Sequence, residues 1–285
     1  MFTRRAMLAG LFSLAATTAS AASRRHKAAA RAVHRLDAVI DISHSTVVND
    51  FRLAKLRSRI LGVIHKASEG GDWRDPLYTK RRSEAEAAGL LWGAYHFGTH
   101  EYPGSAQAHL FLKAARPGPA TLMALDLEFN EQNPGNTMKL HQAEDFVRAV
   151  VDATGRHPMI YTNAAWADDE PMGHPGHRLG GRITEHSILA HCPLWLADYR
   201  SQPEVPSAWR GQGWHFWQYA GDSDDGGPRG HRVRSVWGIE SCDRNLFHGD
   251  ASMLRRFWTS AGQTHPGATH HGAAHHGAHR RTRGA

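Results

Sequence analysis

Short apolar runs recur along the chain, separated by stretches rich in Gly, Pro and charge, and two periodicities alternate between them. Strand-like runs fall at 37–43 ("DAVIDIS"), 61–67, 90–97, 121–129 ("TLMALDLEF"), 158–163, 193–199, 214–220 and 238–245. Helical spacing fills the gaps after the first four, at 50–58, 76–88, 104–115 and 138–154. In the last of these Phe146, Val147, Val150 and Val151 share one face, and Pro134-Gly135 and Gly155 punctuate its ends. Strand alternating with helix predicts parallel pairing through right-handed crossovers. After the fifth strand the alternation fails: a long Gly-, His- and Pro-rich loop, 164–191, is followed by short connections. Eight strands therefore predict a closed barrel of the α/β class, irregular in its last third.

The two ends of the chain differ from this middle. Thr3-Arg4-Arg5 precedes the apolar "AMLAGLFSLAATTASA", with small residues at Ala19 and Ala21, so residues 1–21 read as an export signal with a twin-arginine-type start. Residues 22–36 form a basic, Ala-rich linker. Residues 261–285 are low in complexity, with six His and no apolar period, and are expected to be disordered. Of the 34 Lys and Arg, seven lie in residues 1–35 and three in 280–285, where no acid occurs. The middle then holds more acids than bases, which argues against nucleic-acid binding by the folded part. No stretch beyond the signal could span a membrane. Cys192 and Cys242 are too few for a disulfide framework, and whether they pair is open.

Polar residues gather at one end of the strands. Residues i and i+2 of a strand share a face, so Asp126 and Glu128 point together while Leu125 and Leu127 take the other side. In a barrel the carboxyl ends of the strands form the active face. Asp41, Lys66 and Glu69, Tyr95-His96, Tyr161 and Asn163, Asp198-Tyr199, Gln218 and Asp243 with Asn245 fall at the corresponding ends of the other strands. Taken singly, a strand-end Asp is more often a cap or turn former, Lys66 and Glu69 could be a plain ion pair, and Trp195 and Tyr199 could be core. Two like charges on one buried face repel and raise a pKa, which favours a functional reading of Asp126 with Glu128. Paired carboxyls in an aromatic-lined cleft suit glycoside hydrolysis, and the nine Trp offer faces for sugar rings. No spacing of His, Cys or carboxylates marks a metal site, and the acids and His of the 164–191 loop read as solvated. No nucleophile elbow, phosphate loop or dinucleotide fingerprint occurs, so neither metal nor cofactor is expected.

From about Asp37 to Trp258 the chain resembles the glycoside hydrolase family 25 lysozymes, the Chalaropsis-type N-acetylmuramidases. The matching pieces, in order, are "DISH" (41–44), "KASEG" (66–70), "AGLLWGAYHF" (88–97), "LDLE" (125–128), "MIYTN" (159–163), "PLWLADY" (193–199), "FWQY" (216–219) and "DRN" (243–245). The resemblance implies a flattened, irregular (β/α) barrel of eight strands with fewer than eight helices, TIM-barrel-like, over 37–260. It implies cleavage of the β-1,4 bond between N-acetylmuramic acid and N-acetylglucosamine in peptidoglycan; the signal at the amino terminus predicts export to the periplasm or the exterior, and a monomer is expected. Glu128 would be the general acid, Asp126 its partner, and Asp41 and Asp243 the other catalytic carboxylates. Glu69, Tyr95, Tyr161, Trp195, Tyr199 and Gln218 would meet the sugar. The segment "STVVNDF" and the expanded stretches 164–191 and 221–236 depart from the family pattern at the cleft rim. A chitinase-like glycosidase, or a wall-binding module without activity, are the alternatives; the former usually carries one more Asp where this chain has Ala124.

Overall fold

The computed structural model describes residues 35–221 and 235–260. The expected export signal (1–21), the linker up to residue 34, most of the 221–236 stretch and the His-rich tail lie outside the described residues. Nine strands form one sheet. They are β1 (Arg35–Ile42), β2 (Gly62–Glu69), the two-residue β3 (Trp73–Arg74), β4 (Leu91–Phe97), β5 (Leu122–Asp126), β6 (Met159–Thr162), β7 (Leu194–Ala197), β8 (Phe216–Ala220) and β9 (Asp243–His248). The helices are α1 (Phe51–Ser58), α2 (Tyr78–Ala87), α3 (Gly104–Ala115), α4 (Leu140–Thr154), the single-turn α5 (Ala164–Ala167) and α6 (Ala251–Ser260). The β1–β2 pairing closes eight strands into a barrel, with β3 a short hairpin partner on β2.

Strands β1, β2 and β4–β8 pair in parallel around the barrel, joined by α-helical crossovers except between β7 and β8, where the connection carries only a 3-10 turn. The last strand differs from the expected 238–245 in place and in direction. It begins at Asp243 and runs antiparallel to both β1 and β8. The cause is the connection: Gly221, just past β8, lies beside Asp243, its built Cβ position 3.8 Å from Asp243 Oδ1. The chain thus enters β9 at the barrel mouth and runs downward, so the start of β9 shares the mouth with the ends of its neighbours.

Strand alternation sorts the core into two shells. Val39, Ile64, Leu122, Ala124, Trp195 and Phe216 point into the barrel, whereas Ile40, Val63, Met123, Leu125, Leu127 and Ile160 pack outward against the helices. Asp126 continues the inward series of Leu122 and Ala124, which carries its carboxyl to the mouth. Local signals set the helix ends. Asp50 caps α1 by accepting from Arg52 N at 2.7 Å, and Gly155 ends α4 at φ 67°.

Helix α6 is not among the elements the patterning predicts, although Leu254, Phe257 and Trp258 sit at helical spacing. It closes the bottom of the barrel. The Trp258 indole is fully buried, donates to Trp92 O at 2.8 Å, and lies where a side chain at Gly62 would clash, 2.7 Å from its built Cβ position. Only glycine leaves room there. Trp258→Ala is expected to cost about 3–5 kcal/mol through lost burial and a cavity, measured as a lowered denaturant midpoint with unchanged slope.

Candidate active site

The mouth of the barrel opens into a cleft of about 930 Å³ lined by Lys66, Glu69, Glu128, Tyr161, Asn163 and Tyr199, among others. Register explains the convergence. Asp41 on β1 stands opposite Asp243 on β9, Gln218 opposite Asn245, and Asp126 pairs with Phe97 on one side and Tyr161 on the other. Residues from six strands, scattered from position 41 to 245, thereby share one end of the barrel.

Gln218, buried at 2% exposure, is the hub of the far wall. Its amide oxygen accepts from Tyr161 Oη at 2.8 Å and Tyr199 Oη at 3.0 Å. Its nitrogen donates to both oxygens of Asp41, at 3.1 and 3.2 Å. Asn245 Nδ2 adds a further bond to Asp41 Oδ2 at 2.7 Å, and its own oxygen accepts from Trp195 Nε1 at 2.6 Å. Both amide orientations follow: an amide that accepts from phenols or an indole must turn its donors to the carboxylate. Asp41 is thus a buried carboxylate held by neutral donors.

The opposite wall carries Asp126 and Glu128. Asp126 is 8% exposed, and its Oδ1 has no hydrogen-bond partner. Burial first, then the charge of Glu128, pushes its pKa well above the usual carboxylate range, with Lys66 opposing. Burial, then Glu131 and Asp41, lifts Glu128 to about 7, again against Lys66. Neutral carboxyls answer the cost of placing like charges side by side away from water. Tyr95 and Tyr161 are likewise held protonated by burial and by the surrounding carboxylates. The site therefore offers an acid that still holds a proton near neutral pH about half of the time, beside an oxygen with no bond of its own.

Tyr161, Tyr199 and Glu69 reach the cleft, whereas Gln218 acts from below it. Trp195 does not take the place expected for a sugar platform. At 2% exposure it lies one layer down inside the barrel, its ring 4.8 Å from that of Tyr161 and 6.2 Å from Tyr95, and it supports both. An indole on an inward strand position must be covered, because its area is too large to leave in a narrow barrel uncapped. His96 is also internal: Ser68 and Gln107 hold its two nitrogens at 2.9 and 3.2 Å, and burial lowers its pKa to about 3. The loop acids are only partly solvated, since Asp168 accepts from Ser207 N at 3.1 Å and lines the cleft. Cys192 forms no bridge to Cys242; its Sγ lies 3.6 Å from Ile188 O and 3.8 Å from His157 Nδ1. The patterning gave no sign of Phe97, Phe129 and Glu131 as cleft residues: Phe97 ends β4, and Phe129 and Glu131 line the cleft from the loop beyond β5.

A folded-state pKa near 7 for Glu128, against about 4.3 in an unfolded chain, means that folding takes up a proton between those values. The associated stability is fully present below about pH 4 and is lost as pH rises through 7. Glu128→Gln removes that loss, so its Tm should exceed that of the wild type by about 2–6 °C at pH 8 and converge with it at pH 4, by calorimetry.

The family model described as Glycosyl hydrolases family 25 matches residues 40–227. Lysozyme M1 of Streptomyces globisporus is 28% identical over 226 residues, covering 75% of this chain and 69% of that protein. The N,O-diacetylmuramidase of Chalaropsis sp is 32% identical over 117 residues, 36% of this chain and 56% of that protein. Among solved structures, the muramidase from Trichobolus zukalii superposes with a TM-score of 0.62 at 27% identity, covering 78% of this chain and 98% of that one. The bacterial lysozyme from Streptomyces coelicolor gives 0.60 at 25% identity, covering 78% and 96%. With a barrel of matching topology and a mouth lined by carboxyls, this chain belongs to glycosyl hydrolase family 25 and is a glycoside hydrolase.

Proposed function

We propose that the protein is a muramidase that hydrolyses the β-1,4 bond between N-acetylmuramic acid and N-acetylglucosamine in peptidoglycan. The observation that carries this reading is the Asp126–Glu128 pair at the end of β5: two carboxyls two residues apart, each made harder to ionise by burial and by neighbouring acids, beside a cleft of about 930 Å³. The names of the relatives, lysozyme and muramidase, point to the same substrate.

Glu128 acts as the general acid. It gives its proton to the glycosidic oxygen as the bond breaks, and a pKa near 7 keeps it loaded without making it too weak to donate. Asp126, whose Oδ1 lacks a partner in the free protein and whose ionised form Lys66 favours, stabilises as an anion the developing positive charge or the oxazolinium that the substrate's own acetamido group would form. Asp41, fixed by Gln218 and Asn245, and Asp243 supply negative potential from the opposite wall. Tyr161 and Tyr199 border the sugar, their hydroxyls oriented by Gln218. Residues 1–21 serve to export the enzyme to the wall where its substrate lies, and the folded unit works as a monomer.

Glu128→Gln should lower kcat/KM on purified peptidoglycan by about 10²-fold or more. In the wild type kcat/KM should fall about tenfold per pH unit above 7, where the acid loses its proton. Mass spectrometry of the released fragments identifies the bond: reducing-end N-acetylmuramic acid is expected. Reducing-end N-acetylglucosamine, or faster turnover of chitin oligomers, would overturn the assignment.

A further inference from the structure

Among the described residues, Lys66 and Arg200 are the basic residues lining the cleft, and the chemistry above gives neither a task. The Lys66 side chain is only 15% exposed, and its Nζ donates to Glu69 Oε2 at 2.6 Å. The same Nζ lies 5.3 Å from the centre of the Trp73 ring and 4.8 Å from that of Phe97. Two aromatic faces and a carboxylate, contributed by β2, β3 and β4, thus restrain a side chain that is ordinarily among the most mobile. The His44 ring also packs against Trp73, the ring centres 5.1 Å apart. The short β3 hairpin, which holds Trp73 in place, acquires a purpose from this contact.

The charge so fixed bears on β5. Lys66 favours the ionised forms of Asp126 and of Glu128. Every acid facing the pair works in the opposite sense: Asp41 from β1, Glu69 from β2 and Glu131 from the loop beyond β5. Asp243 on β9 adds negative potential at Tyr95, and Tyr95 and Tyr161 stay neutral. Arg200, the other cation along the cleft, is turned away by bonds to Asp198 at 2.6 Å and Glu204 at 3.0 Å. With Lys66 removed, burial and mutual repulsion leave both carboxyls protonated, and the site has an acid with no anion to assist it.

We propose that Lys66 is a positioning residue for the glycosidase reaction: held between Trp73 and Phe97 and tied to Glu69, it lets one of Asp126 and Glu128 be an anion while the other keeps its proton. The inference rests on the reading of Glu128 as the acid. A purely structural lysine would serve the hairpin alone, and its loss would lower activity equally at every pH.

The test is the pH dependence of kcat/KM on purified peptidoglycan for the wild type, Lys66→Met, Lys66→Arg and Glu128→Gln, each first shown to unfold cooperatively. In Lys66→Met both limbs of the profile should move to higher pH by about one unit, the effect of a single charge several ångströms away through a partly dry site. Lys66→Arg should return them towards the wild type. If Lys66→Met does not fold, Lys66→Gln, which keeps a polar head beside Glu69, carries the same expectation. Limbs that stay in place while Glu128→Gln is inactive overturn the role of Lys66 alone. Full activity in Glu128→Gln overturns the acid assignment, and this inference with it.

Discussion

Two carboxyls brought together where water is scarce repel each other, and the mouth of this barrel is organised around that repulsion. Strand β5 delivers Asp126 inward by simple alternation and sets Glu128 two residues beyond it. Leaving both charged would cost more than a marginally stable fold tolerates, so protonation relieves the strain, and the same protonation is what an acid catalyst needs. Lys66 opposes the effect from one side, while Asp41, Glu69 and Glu131 reinforce it. The balance of these charges, rather than any single residue, places Glu128 near 7.

The barrel makes the balance possible because it fixes every group on a separate strand. Asp41 cannot retreat from Gln218 and Asn245 without breaking the β1–β9–β8 ladder. Trp195 and Trp258 fill the interior beneath the mouth, so the polar layer rests on a close-packed aromatic floor. Because β9 runs downward, Asp243 reaches the mouth at the start of a strand, not at its end. Polar groups at the ends of parallel strands are the usual lining of such a barrel mouth, and here the irregular last strand brings Asp243 to it in the reverse direction.

Alternation and spacing made seven of the strands and the four larger crossover helices legible, since period 2 and period 3.6 are written locally. The polarity of strand ends also marked Asp41, Asp126, Glu128 and Gln218 as one layer. Trp195 shows the limit: an aromatic near a strand end reads the same whether it supports a cleft or lines one. The direction of β9 and the plug formed by α6 depend on contacts between residues distant along the chain, as between Trp258 and Gly62, and no local period encodes them.

Sequence by itself determined which residue types stand at the strand ends, and, through the ordered motifs from "DISH" to "DRN", the family to which the chain belongs. Tertiary structure alone decided which of those residues touch: that Gln218 bridges Asp41 to two tyrosines, that Trp195 is floor rather than wall, and that Lys66 is caged between Trp73 and Phe97. The reason is physical. Residue identity and spacing fix which face of its own strand a side chain occupies, whereas its protonation and partners are set by burial and by charges that only barrel closure brings near.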